Sequence, residues 1–154
     1  MKYPDLNFPS FTFSTRINPE KELEIFDVVR KKYVRLSPEE WVRQHALRFL
    51  IDCRKVPLPL IAVEGCVCVG KLNQRFDLLV YDRTLKPALL IECKAPNVKI
   101  SQQTFDQIAR YCQPLNVKNL WITNGMEHYS FYYNKENACY DFREDIPSFE
   151  ELNS

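Results

Sequence analysis

The sequence is poor in the features that carry a chain into or across a membrane. No apolar run reaches 18 residues, so no bilayer-spanning helix is expected. Met1-Lys2-Tyr3-Pro4-Asp5 leads into no apolar signal-type stretch, so a cytoplasmic protein that stays where it is made is expected. Histidine is scarce, with only His45 and His128, and that bears on the six cysteines. Cys66-Val67-Cys68 has no second CxxC and no His pair to complete a tetrahedral zinc site. Without a secretory signal, reduced thiols are the default. Cys66, Cys68, Cys93 and Cys112 lie in apolar runs, where free cysteine acts as a small hydrophobe, and Cys53 and Cys139 stand isolated. No repeat, low-complexity stretch or linker divides the 154 residues, which fit one domain. Neither sign of charge dominates, with 21 basic residues against 20 acidic, so composition names no partner. Only Arg30-Lys31-Lys32-Tyr33-Val34-Arg35 has the basic and aromatic character of a nucleic-acid patch, and a solvated strand face explains it more simply.

What is present is enough apolar and aromatic material for a packed core: 45% hydrophobic residues, with 10 Phe and 8 Tyr. Alternation at Phe11, Phe13 and Thr15, turn chemistry at Asn18–Lys21, and Leu23, Ile25 and Val28-Val29 predict an N-terminal β-hairpin over 11–34. Ser37-Pro38-Glu39-Glu40 is a helix start: Ser37 as N-cap, Pro38 at the first position, Glu40 completing a capping box. The helix runs to about Cys53, with Val42, Ala46, Phe49 and Leu50 on its apolar face. Three strands follow, Leu60 to about Val69, Gln74–Tyr81 and Pro87–Lys94, and their short links favour antiparallel neighbours. A second helix from Ser101 buries Phe105, Ile108, Ala109 and Cys112. Asn119–Thr123 is a further strand, and Asn124-Gly125 turns the chain into a hairpin of His128–Tyr133 and Ala138–Phe142. An acidic tail from Glu144 is expected to cap the fold loosely. The order predicts an α/β domain over 1–154, a mixed β-sheet flanked by helices, with the hairpin in front, a core over about 37–125 and a C-terminal hairpin and tail over 126–154.

Two adjacent strands each bury an acid in an apolar run: Arg75-Phe76-Asp77-Leu78-Leu79-Val80 and Leu89-Leu90-Ile91-Glu92-Cys93-Lys94. Asp77 and Glu92 cost several kcal/mol there unless paired or metal-bound. Glu92 and Lys94, two apart, share a strand face; Cys93 points the other way, but its backbone carbonyl can reach the site. Two carboxylates and a carbonyl suit Mg²⁺, or Mn²⁺ in its place, and a lysine beside them can hold a water against a phosphate. A cross-strand salt bridge from Lys94 to Glu92 or Asp77 fits these two strands equally well. Glu39 lies three before Val42 and seven before Ala46, on the core side of its helix, where a metal role and a favourable charge at the helix N-terminus are alternatives. Gln107 and Tyr111, four apart, share a face beside the second helix's apolar stripe and suit a phosphate contact or an ordinary polar flank. Gly65–Lys71 matches most of a P-loop, but Leu72 replaces the Ser or Thr and the residues between alternate like a strand. Glu64 is a further carboxylate near the sheet, for which facing the site is an alternative to the expected surface or paired role.

Asp77, a 14-residue gap, Glu92-x-Lys94 and Gln107-x-x-x-Tyr111 together resemble the PD-(D/E)xK nuclease superfamily. More closely, with Glu92-Cys93-Lys94-Ala95-Pro96-Asn97, the pattern resembles the N-terminal nuclease domain of type I restriction enzyme R subunits. Ser37–Gln44 and Thr123-Asn124-Gly125 are similar to short, free-standing bacterial relatives of that domain, and the likeness spans about residues 11–145. The resemblance implies a restriction-endonuclease-like core of helix, three-stranded meander, helix and strand. It also implies an Mg²⁺-dependent DNA nuclease of restriction, defence or repair type, with DNA and other restriction or defence subunits as partners. In that reading Asp77, Glu92 and the Cys93 carbonyl bind the metal, Lys94 attends the attacking water and Glu39 assists. Gln107, Tyr111 and Arg43 then support the site or contact DNA. Phe76 stands where the motif's name has Pro, which leaves the ligands intact, and no helicase motor is present to imply translocation. A catalytically silent nucleic-acid- or partner-binding domain with the same fold is the alternative.

Overall fold

The computed structural model describes residues 3–69 and 71–154, and the side chains of all of these except 67–69, 72, 74 and 111. Three short antiparallel strands come first: β1 (Thr15–Ile17), β2 (Leu23–Asp27) and β3 (Lys32–Arg35). The expected hairpin is present, but its first strand begins at Thr15, with Phe11 and Phe13 ahead of it, and a third strand continues it. Val28 and Val29, read as strand, lie instead in the β2–β3 turn. Asp27 causes this: its Oδ1 accepts the backbone N–H groups of Val29 (2.9 Å) and Arg30 (2.8 Å), an Asx-type turn that overrides valine's strand preference.

Helix α1 (Pro38–Asp52) starts where Ser37 Oγ accepts the Glu40 N–H at 3.1 Å, with Pro38 in the first turn. A six-stranded sheet follows in simple order: β4 (Ile61–Val69), β5 (Leu72–Tyr81), β6 (Pro87–Cys93), β7 (Asn119–Thr123), β8 (His128–Asn134) and β9 (Cys139–Arg143). Every neighbouring pair is antiparallel except β6 and β7, whose parallel pairing needs a crossover that helix α2 (Gln102–Leu115) supplies. Ser101 caps α2 at its start; Asn116, in the left-handed region at φ 56°, ends it. The residues of the P-loop-like stretch belong to β4 and the turn after it, with Gly70 outside the described residues.

The sheet is covered on both faces, as alternating strand residues require. Leu89, Ile91 and Cys93 of β6 pack with Leu47 and Leu50 of α1 and with Trp121. Leu90, from the opposite face, packs with Ile108 and Cys112 of α2 and with Leu120 and Ile122. The tail is held more firmly than expected: Ile146 and Phe149 are buried in the α1-side core, and Ser148 and Glu151 form a capping box on the short helix α3 (Phe149–Leu152). Among the described residues no helix is long and apolar enough to cross a membrane.

Candidate functional site

β4 and β5 pair in register from Ile61↔Val80 to Val69↔Leu72, but the ladder skips Glu64 and Asp77. Glu64 has φ 43°, a left-handed conformation that costs a non-glycine residue about 1–3 kcal/mol. The strand turns over at this point. Phe76 and Leu78, two apart, would share a face in a regular strand, yet Phe76 packs on the α2 side and Leu78 on the α1 side. Asp77 is thereby aimed along the sheet toward β6 rather than into either core. Its Oδ2 accepts the Cys93 N–H at 2.8 Å, and its Oδ1 accepts Arg43 Nη2 at 3.1 Å. Because a strand residue's N–H and C=O point to the same edge, the Cys93 carbonyl faces the β5 side as well. The following N–H, of Lys94, donates to Thr123 O of β7 at 2.8 Å, on the other edge.

Glu92 is mostly buried, with 23% of its side chain exposed, and Lys94 Nζ stands 3.5 Å from its Oε1. Burial and then the neighbouring Asp77 charge push the Glu92 carboxyl up to about 7, against partial relief from Lys94. Glu39 is held above its ordinary value by burial and by Asp77, with Arg43 and Lys94 opposing. The acids of β5, β6 and α1 therefore act on one another and on one lysine. They border a cleft of about 270 Å³ in which four carboxylates (Glu39, Glu64, Asp77, Glu92) face Arg43 and Arg75, with Gly65, Cys66 and Phe76 completing the lining.

Arg43, expected to support the site or touch DNA, is 4% exposed and lines the cleft. It pairs with Glu39 (3.2 Å), Glu40 (2.8 Å), Glu64 (3.2 Å) and Asp77 (3.1 Å). Burial alone would lower its pKa, but Glu40 and Asp77 outweigh burial and raise it further. Glu40 departs from its expected role as the closing partner of a capping box. Beyond its N–H on Ser37, its buried carboxylate does not close a capping box; it joins Arg30 (2.6 Å) to Arg43. Glu39, by contrast, has 47% of its side chain exposed and faces the cleft.

Five of the expected residues thus meet: Asp77, Glu92, Lys94, Glu39 and Arg43, with Cys93 joining through its backbone. Gln107 does not, being exposed on α2 outside the cleft, and the Tyr111 side chain lies outside the described residues. Cys66, read as a core hydrophobe, is exposed at the cleft, whereas Cys93 and Cys112 are buried. Sequence reasoning missed Arg30, which bridges Asp27 (2.9 Å), Glu40 and Glu64 (3.1 Å); Glu64 is paired, as one of its expected roles had it, and also lines the cleft. Arg30 opens the basic run that was noticed, but nothing in that run says which carboxylates it will meet.

The family described as type I restriction enzyme R protein N terminus matches residues 38–147. No curated protein matches the chain in sequence. Among solved structures, the chain is similar to a fragment assigned as the HsdR subunit of a type I restriction enzyme from Vibrio vulnificus YJ016. That likeness has 18% identity and a TM-score of 0.46, covering 71% of this chain and 24% of the other. The chain thus spans about a quarter of that structure's length. With the match running from the first turn of α1 to just past β9, the chain belongs to the type I restriction enzyme R protein N-terminal family.

Proposed function

We propose that the cleft is a divalent-metal site and that the protein is an Mg²⁺-dependent nuclease hydrolysing DNA phosphodiester bonds in a restriction or defence setting. The observation that carries this reading is the pressing together of Asp77 and Glu92 on adjacent strands, with Lys94 3.5 Å from Glu92. Burial first and the neighbouring Asp77 charge second hold the Glu92 carboxyl up near 7, and a divalent cation between the two acids would relieve both. Among the described residues no three His, Cys, Asp or Glu side chains form a ready-made metal cage. The donors that fit are all oxygens: Asp77, Glu92 and the Cys93 carbonyl, with Glu39 near. Mg²⁺ accepts such a partial set because it keeps several waters, and Mn²⁺ can replace it. Each Asp77 oxygen offers two acceptor positions, of which Arg43 takes one on Oδ1 and the Cys93 N–H one on Oδ2. Bound there, the metal would polarise a phosphoryl oxygen and acidify its water. Lys94 would hold the attacking water and offset charge on the phosphate, and the Cys93 N–H would keep Asp77 in place. Other restriction or defence subunits are the expected protein partners.

One observation favours a second reading, a silent domain that binds DNA or a partner: Arg43 already rests on Asp77 and Glu39, the acids a metal would use. A cleavage assay with Mg²⁺ or Mn²⁺ on linear, circular and single-stranded DNA separates the two. Lys94→Ala is expected to lower the rate by about 10²–10⁴-fold, the range for losing a group that handles the reacting water. Equal cleavage by wild type and variant would sink the catalytic assignment. Salt-dependent DNA binding by both, with no cleavage by either, would establish the second reading.

A further inference from the structure

Behind the cleft, the ion pairs form a chain with a direction. Arg30 spreads its guanidinium over Asp27, Glu40 and Glu64, at 2.9, 2.6 and 3.1 Å. The second oxygens of Glu40 and Glu64 both meet Arg43 Nη1, at 2.8 and 3.2 Å. The other terminal nitrogen of Arg43, Nη2, meets Glu39 and Asp77. One end of Arg43 therefore lies on the acids it shares with Arg30, and the other on the acids that face the cleft. Arg30 is itself pre-set. It leaves a turn fixed by Asp27, which is 0% exposed and takes a further hydrogen bond from Gln44 Nε2 at 2.9 Å. Arg30 also lies outside residues 38–147, the stretch that matches the family.

We propose that Arg30 is a positioning residue of the cleft. It holds Glu40 and Glu64 so that Arg43 stays divided between them and the Asp77–Glu39 pair, and this sets how much negative charge Asp77 and Glu39 present to a divalent cation. The proposal rests on the metal reading of the cleft, and its sign follows from charge. Without Arg30, Glu40 and Glu64 draw Arg43 toward themselves, and positive charge leaves Asp77 and Glu39. Loss of the Arg30 charge acts in the same direction. A divalent cation then binds more tightly. An arginine that merely ties the N-terminal sheet to α1 would, when removed, leave cation binding unchanged or weaken it as the site loosens.

The test uses the whole chain with Arg30→Gln, the milder Arg30→Lys, and Arg16→Gln as control. Arg16→Gln breaks the Arg16–Glu24 pair on the same small sheet, away from the cleft. Mn²⁺ affinity is expected to rise on the order of three- to tenfold in Arg30→Gln, less in Arg30→Lys, and not in the control. A second readout needs no metal. Arg43 Nε is buried and finds no acceptor among the described residues, so its N–H gives a protected ¹H–¹⁵N resonance that reports where the guanidinium sits. That resonance should move in both Arg30 variants and stay fixed in the control. An unmoved Arg43 resonance, or unchanged or weaker Mn²⁺ binding in a folded Arg30→Lys protein, overturns the proposal. If wild type and variants alike bind no Mn²⁺, the metal reading of the cleft fails, and with it the Mn²⁺-controlling role of Arg30. A moved resonance would in that case establish only the Arg30–Arg43 coupling.

Discussion

Glu39 and Glu40 stand side by side in the first turn of α1, and their environments assign them opposite duties. Glu40 has 6% of its side chain exposed and gives one oxygen to Arg30 and the other to Arg43. Replacing it by Gln leaves the buried Arg43 and the half-buried Arg30 short of charge, and unpairing a buried ion is among the costly single changes. Glu40→Gln is therefore expected to destabilise by about 2–4 kcal/mol, whereas half-exposed Glu39→Gln should change stability by less than about 1 kcal/mol. Urea unfolding of both variants at neutral pH decides it, and equal midpoints would refute the assignment. Helical spacing from Val42 and Ala46 put Glu39 on the core side and left Glu40 to the cap. That spacing locates a residue relative to its own helix's apolar stripe, not relative to what other elements cover. Here the covered face is wider than the stripe. Arg43, Gln44 and His45 are all buried, because the N-terminal sheet and the segment before it lie over them. Glu40, three and four residues before Arg43 and Gln44, turns in with them. A polar half-face buried by a distant sheet reads in sequence as a solvated one.

At the scale of elements, the β4–β5 ladder shapes the cleft through one glycine. Gly65 sits opposite Phe76, and a Cβ built on it would lie 2.6 Å from the tip of that ring. Phe76 is 7% exposed, so the ring covers the glycine and has little room to retreat. Gly65→Ala should therefore cost about 1–3 kcal/mol by forcing the ring off its rotamer. Combined with Phe76→Leu, whose shorter side chain frees that space, it should cost distinctly less than the two single changes added together. A double-mutant cycle on thermal or urea unfolding measures the coupling, and strict additivity would show that ring and glycine do not constrain each other. The meander, α2 and the β7–β8–β9 run were legible because each is specified locally, by alternation, a cap or a turn pair. The Asx turn at Asp27 and the reversal at Glu64 were not. The first depends on a side chain bonding its own following backbone and the second accompanies ion pairs from Glu64 to Arg30 and Arg43, and no periodicity encodes either. The Asp77, Glu92 and Lys94 set was legible for the opposite reason: acids inside apolar strand runs stand out against the pattern around them.

Over the whole molecule, stability is pressed from both sides of the pH scale. His45 and His128 are held below their ordinary values by burial. Each therefore stays neutral in the native state, and its contribution is complete above about pH 6.5 and is lost as pH falls below it. Glu92 works the other way. Its native carboxyl is raised to about 7 from an unfolded value near 4.5, so the native state binds the extra proton between those limits. Its contribution is complete below pH 4.5, declines as pH rises, and is gone above about 7, where a partly exposed charge is forced beside Asp77. Glu92→Gln, always neutral, should match wild type near pH 4.5 and exceed it by about 1–3 kcal/mol at pH 8, after allowance for solvent at the carboxylate. Saturating Mg²⁺ should narrow that gap by stabilising wild type alone, since only the native, charged site binds it. Urea midpoints at pH 5, 6, 7 and 8, with and without Mg²⁺, trace both effects. A variant less stable than wild type at pH 8, or a difference flat across pH, would mean that Glu92 carries no stored repulsion for a metal to relieve.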